Sequence, residues 1–186
     1  MIKLHPLVND YLFKYYAILR NIFADIIGQL EINSISIGVI NHQKQLILLS
    51  SKPSIEQNLI EKNLLQYDNS FSANFIYQDT PNIWTNLYDI NHQILLKQYK
   101  QINPNIVNGI AIPANFQNYR VIFSFGFQLK NIISANQTSA NIHKLLIIGK
   151  YCLQEIMHRI TLPKEYLFYK SCQSKSPLEL IINNRS

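Results

Sequence analysis

The chain has 186 residues, 47% hydrophobic and 15% charged, a balance that excludes a disordered chain and suits one domain, or one domain with a short appendage. The formal net charge of +6 permits contact with nucleic acid, but the basic side chains are scattered rather than striped, as on a solvated surface. No apolar run approaches the roughly 20 residues of a membrane span, no secretion signal opens the chain, and two cysteines, Cys152 and Cys172, cannot staple a fold of this size, so the expected address is the reducing cytoplasm.

Leu7 to Leu30 is predicted as one helix, because Leu12, Tyr15, Tyr16, Leu19, Phe23, Ile26, Ile27 and Leu30 recur at spacings of three and four. The period then changes. Ile35, Ile37 and Val39 alternate with Ser34, Ser36 and Gly38, which predicts a strand over Ile32 to Ile40. A polar turn, Asn41 to Lys44, leads into the apolar run Gln45 to Ser50, and the two form a hairpin. Pro53 opens a helix in which Ser54 and Gln57 have capping-box spacing, with Ile55, Leu59, Leu64 and Leu65 inward. Asp68, Asn69 and Ser70 break that helix and can cap another from Phe71 to Tyr77. A loop at Thr80, Pro81 and Asn82 presents Ile83 and Trp84.

A helix over Asp89 to Ile102 follows, with Ile90, Ile94, Leu95, Tyr99 and Ile102 on one side. Two strands come next, from Asn108 to Pro113 and from Tyr119 to Leu129, where Gly109 and Gly126 leave room beside a backbone. Thr138 to Ile160 is the last long helix, with Ile142, Leu145, Leu146, Gly149, Cys152, Leu153 and Ile156 as its buried stripe. Hairpin strands flanked by helices predict an α+β fold: an α-β-α sandwich around a central antiparallel sheet, GAF/PAS-like, followed by a short helical C-terminal tail.

The catalytic inventory is thin. His5, His42, His92, His143 and His158 form no metal-ligand spacing, and no G-x-S-x-G elbow or glycine-rich phosphate loop is present. No enzyme, metal or cofactor is expected, and Cys152 reads as a core thiol rather than a nucleophile. A binding site is better supported. Asp68 stands among Leu65, Phe71, Phe75 and the sole tryptophan, Trp84. It either caps the next helix or sits as a buried carboxylate that needs a donor partner.

The segment Pro53-Ser-Ile-Glu-Gln-Asn-Leu-Ile-Glu-Lys-Asn-Leu-Leu-Gln-Tyr-Asp68 resembles the stretch before the Asp-Pro pair of LuxR-type acyl-homoserine-lactone receptors. Pro81-Asn-Ile-Trp84 is similar to that family's segment ending in tryptophan. Asn108-Gly-Ile-Ala-Ile-Pro113 and Phe123-Ser-Phe125 resemble two of its strands. Ser174-Lys-Ser-Pro-Leu-Glu-Leu180 is similar to the "G-K-S-x-x-E-I" of its helix-turn-helix domain, and Ser176, Pro177 and Glu179 suit a helix start.

The resemblance implies a ligand-binding domain over residues 1–160 and an incomplete helix-turn-helix segment over residues 161–186. In the family an Asp accepts the ligand amide N–H, a Trp donates to the lactone carbonyl and a Tyr lies near the acyl carbonyl. Asp68 matches the Asp, Trp84 the second, pocket-packing Trp, and Gly109 the glycine. Asn69 replaces the family's proline, Ile55 its first Trp and Leu59 its Tyr. Each lost donor costs about 1–3 kcal/mol, so standard lactones are expected to bind weakly or not at all, and a small apolar ligand fits better. The expected pocket lies between the sheet and the helices of residues 53–102, lined by Leu59, Asp68, Phe71, Trp84, Ile110 and Phe123. No residues remain for a recognition helix, so specific DNA binding is not expected. A homodimer, or a heterodimer with a related regulator, is expected, and no membrane partner. Two rivals stay open: a ligand-free dimerising inhibitor that sequesters a full-length regulator, and a generic PAS-like or GAF-like sensor of another ligand.

Overall fold

The computed structural model describes residues 2–101, 106–128 and 139–163. The predicted helix-turn-helix segment beyond Pro163, with Cys172, lies outside them, as does Ile102. The elements in chain order are β1 (Lys3–Leu4), α1 (Val8–Lys14), α2 (Tyr16–Ala24), β2 (Ile32–Ile40), β3 (Gln45–Ser50), α3 (Pro53–Glu61), α4 (Ala73–Ile76), β4 (Asn82–Ile83), α5 (Trp84–Leu87), α6 (Gln93–Lys100), β5 (Asn108–Phe116), β6 (Tyr119–Phe127) and α7 (Ser139–Arg159). Single 3-10 turns at Leu65–Tyr67 and Asn69–Phe71 connect α3 to α4.

The strands form one six-stranded sheet in the order β1-β3-β2-β6-β5-β4. It is antiparallel except where the short β1 runs parallel to β3 at the edge. The period-two pattern of β2 has the physical reason expected of it: successive side chains leave the pleat on opposite faces. Ile35, Ile37, Val39, Ile47, Leu49, Ile112, Phe123 and Phe125 fill one core, which α2 and α7 cover with Leu19, Phe23, Cys152, Leu153 and Ile156. A second core on the other face holds Leu46, Leu48, Ala111 and Ile122 against Val8, Leu12, Ile55, Leu59, Leu65, Trp84 and Leu96. Both faces are therefore covered by helices, the expected α-β-α sandwich.

Three local expectations are corrected. The predicted first helix is two, broken at Tyr15, whose φ of −107° and ψ of 14° leave the helical region. The break serves the layering: Val8 and Leu12 of α1 pack in the second core, while Leu19, Ile22 and Phe23 of α2 pack in the first. The second correction is at α3, which starts on Pro53 with Lys52 as the residue before it and no side-chain cap, so Ser54 is inside the helix rather than its cap. Proline suits that first position because its missing N–H would be unpaired there anyway. The third concerns α6. Ile90 and Ile94 are each 83% exposed, and the residues it buries are Leu96 and Lys100. Among the described residues, no helix is long and apolar enough to cross a membrane.

Candidate functional site

The site lies on the sheet face beneath α3, α5 and α6, and its floor follows from the strand alternation. Register aligns Ser50 with Ser36 and Ser36 with Ser124, a row of three hydroxyls across β3, β2 and β6 that continues to Ala111 of β5. The adjacent row is Ser34, Gly126 and Gly109. These two glycines have a specific use. A Cβ on Gly109 would lie 2.3 Å from the Trp84 ring, and one on Gly126 would lie 2.9 Å from it. The indole lies flat on the bare backbone, and its Nε1 donates to Ser124 Oγ at 2.9 Å.

Above this floor stands an ion pair. Lys100 Nζ, at the C-terminal end of α6, donates to Asp68 Oδ2 at 2.7 Å. Asp68 is 1% exposed and Lys100 6%. The other carboxylate oxygen, Oδ1, accepts from Ser70 N at 3.1 Å and from Ser70 Oγ at 2.6 Å. Asp68 is thus a buried carboxylate with a donor partner, and it caps only the 3-10 turn at Asn69–Phe71; the predicted cap of the following helix is corrected, since α4 is capped by Ser72, whose Oγ accepts from Phe75 N at 3.2 Å. The Lys100 ammonium also lies 4.3 Å from the Trp84 ring centroid and 5.3 Å from that of Tyr88, within cation–π range.

Asp68 is held in place by the chain that follows α5. Asp68 and Tyr88 form an isolated β-bridge, and Asp89 N donates to Tyr67 O at 2.9 Å. The Tyr67 and His92 rings stack at 3.4 Å. The hydrogen bond from His92 at 2.8 Å holds the Asp89 carboxyl below its usual range.

Glu56 of α3 is a second buried acid. Burial pushes its carboxyl upward, opposed by hydrogen bonds from Ser50 and Ser36 and by the charge of Lys100. Its Oε2 and the Tyr88 hydroxyl are buried without a hydrogen-bond partner in the protein. Burial, and then the charge of Asp68, also raises the Tyr88 phenol.

Two spaces adjoin these groups. The inner one, of about 30 Å³, is bordered by Ile55, Glu56, Leu59, Trp84, Lys100 and Ser124. The outer one, of about 460 Å³, runs between β1 and the end of α3, with Ile2, Leu4, Leu46 and Ile60 on its walls and Asp68 at its margin. That is the size range of small-ligand pockets. Leu65 and Phe71 border both spaces and form the partition.

Of the residues singled out in the sequence, Ile55, Leu59, Asp68, Phe71, Trp84 and Gly109 come together on this face. Ile110 and Phe123 do not, which corrects the expected lining. They alternate with Gly109 and Ala111 and with Ile122 and Ser124, so they leave the sheet on the other side and pack in the core under α2 and α7. Phe123 there meets Gly149 of α7, where a Cβ would lie 2.5 Å from its ring. Sequence reasoning missed Lys100, Glu56 and the serine row. The usable signals were the carboxylate's need for a donor and the Ser34/Ser36 alternation in a strand between two covered faces. Among the described residues no cluster of His, Cys, Asp or Glu could hold a metal ion. Cys152 is a buried free thiol, which burial pushes up to about 12.

The fold has solved counterparts. The crystal structure of Escherichia coli SdiA superposes with a TM-score of 0.60 at 14% identity, over 94% of this chain and 81% of that one. SdiA in complex with octanoyl-rac-glycerol gives 0.56 at 14% identity, over 79% of this chain and 63% of that one. The N-acylhomoserine-lactone-dependent LuxR family transcription factor CepR2 from Burkholderia cenocepacia gives 0.51 at 11% identity, over 80% and 88%. No protein-family model matches the sequence, and neither does any curated protein. At such low identity the likeness establishes architecture alone: the chain has the α+β fold of LuxR-type ligand-binding domains.

Proposed function

We propose that residues 1–160 form the small-molecule-sensing domain of a quorum-sensing-type transcription regulator, and that residues 161–186 belong to a helix-turn-helix-like segment. The observation that carries this reading is a cleft of about 460 Å³ with Ile2, Leu4, Leu46, Ile60, Leu65 and Phe71 among its lining, next to the Asp68–Lys100–Trp84 cluster. An alkyl chain suits the outer space, whose walls include Ile2, Leu4, Leu46 and Ile60, and SdiA, of the same fold, is in complex with octanoyl-rac-glycerol. Standard acyl-homoserine lactones suit the site poorly. Ile55 and Leu59 offer no donor, Trp84 Nε1 is engaged by Ser124, and both oxygens of Asp68 have partners. Native mass spectrometry of protein purified from its own host tests the reading. A co-purifying apolar small molecule supports it. Protein free of ligand, and unchanged by octanoyl-glycerol and related amphiphiles in a thermal-shift screen, would overturn it.

One observation favours a second reading, a ligand-free partner that pairs with a related regulator. Ile147 and Tyr151, one turn apart on α7, are about half exposed, an apolar pair on the outer face of the long helix. Light scattering separates the two: ligand-independent dimers, or mixed dimers with a full-length regulator, favour the pairing role.

A further inference from the structure

We propose that Asp68, Glu56, Trp84 and Tyr88 form a binding site for a primary alkylammonium ion, and that the chain fills this site with its own Lys100, a built-in ligand. The inference uses the same site as the sensing reading but rests on no external ligand.

The geometry is that of a cation cage. One carboxylate takes the ammonium directly, at 2.7 Å. Two aromatic rings stand 4.3 and 5.3 Å from it, and aromatic faces attract a desolvated cation through their ring quadrupoles. A second acid, Glu56, borders the same inner space and keeps one oxygen unpartnered. A lysine gives up its hydration at a large cost and stays buried only where such partners replace the water. Asp68 and Lys100 cancel each other's charge, and burial raises the Glu56 carboxyl above its ordinary range. The Asp68 carboxylate thus has its counter-charge without any small molecule. Three functional consequences follow. The domain folds unliganded. A lactone amide cannot take Asp68 unless Lys100 leaves. The ligand that replaces the lysine side chain is another alkylammonium.

The test is chemical rescue of Lys100→Ala. The variant deletes the propylammonium portion of the side chain and leaves Asp68 buried without its counter-charge. Its melting temperature is expected to fall by roughly 10 °C. Millimolar n-propylammonium should restore much of that loss and return the emission of Trp84, the sole tryptophan, toward that of the wild type, while 1-propanol of the same length should not. The wild type should respond to neither. Equal rescue by 1-propanol, or a folded K100A that ignores the amine, would overturn the proposal. If K100A does not fold, Lys100→Met decides: it refills the space without charge and should still melt well below wild type, so a wild-type melting temperature would refute the need for a cation. Octanoyl-glycerol titration of the wild type is a separate readout, so failure here is distinguishable from failure of the sensing reading.

Discussion

Asp68 does two jobs with its two oxygens, and the division sets what its loss should cost. Oδ1 serves the turn at Ser70, and Oδ2 holds Lys100. Removing one member of a buried ion pair strands the other charge, which costs about 3–5 kcal/mol. Asp68→Asn is expected to lose that much in urea unfolding, and a loss below about 1 kcal/mol would show that the pair is not buried as described. Glu56 behaves in the opposite sense. Its folded-state pKa lies above the ordinary 4.5 because it is buried, so the native state holds the proton more tightly than the unfolded chain does. Its contribution to stability is full below about pH 4.5 and declines as pH rises through the folded value. Glu56→Gln should therefore be more stable than wild type at about pH 8 and show a flatter stability profile above about pH 4.5. A variant less stable than wild type at about pH 8 would contradict the assignment. Cys152 should remain unlabelled by iodoacetamide at about pH 8 until the protein is denatured, since its thiol is buried and its pKa is pushed up to about 12; peptide mapping reads this directly.

At the scale of elements, the glycine pair explains why Trp84 can lie on the sheet. Gly109→Ala places a methyl group 2.3 Å from the indole and 2.5 Å from the Phe125 carbonyl oxygen. Such overpacking is expected to cost about 1–3 kcal/mol and to shift the tryptophan emission to the red as the ring lifts from Ser124. Unchanged emission and stability would mean the contact is slack. The same elements show what local sequence can reveal. The hairpin limits, Ile32–Ile40 and Gln45–Ser50, were legible because a period of two on one side and an apolar run on the other both end at the polar turn Asn41–Lys44. The facing of α6 was not. Ile90, Ile94 and Leu95 outweigh Leu96 and Lys100 in hydropathy, yet the buried side of α6 is the one that sets Leu96 in the second core and Lys100 on a carboxylate 32 residues earlier. The choice between Gly109 and Ile110 as site residue was equally hidden. In a strand buried on both faces, alternation fixes which residues share a face without saying which face it is.

For the molecule as a whole, the α-β-α layering followed from hairpin strands between amphipathic helices. The break at Tyr15 that carries α1 to one core and α2 to the other did not, because both segments share one apolar period. The fold is that of structures such as SdiA and CepR2, while the polar end of the site in this chain is closed by its own lysine. The most direct test of that combination is thermal unfolding of the purified protein without ligand and with N-octanoyl-homoserine lactone at high micromolar concentration. The expected result is a cooperative transition without ligand that the lactone barely moves. Nanomolar lactone binding would instead add about 4 kcal/mol at a thousandfold excess over Kd, which for a chain of this size is a shift of roughly 10 °C. A shift of that order, or a protein that folds only with the lactone present, would contradict a site already filled by Lys100.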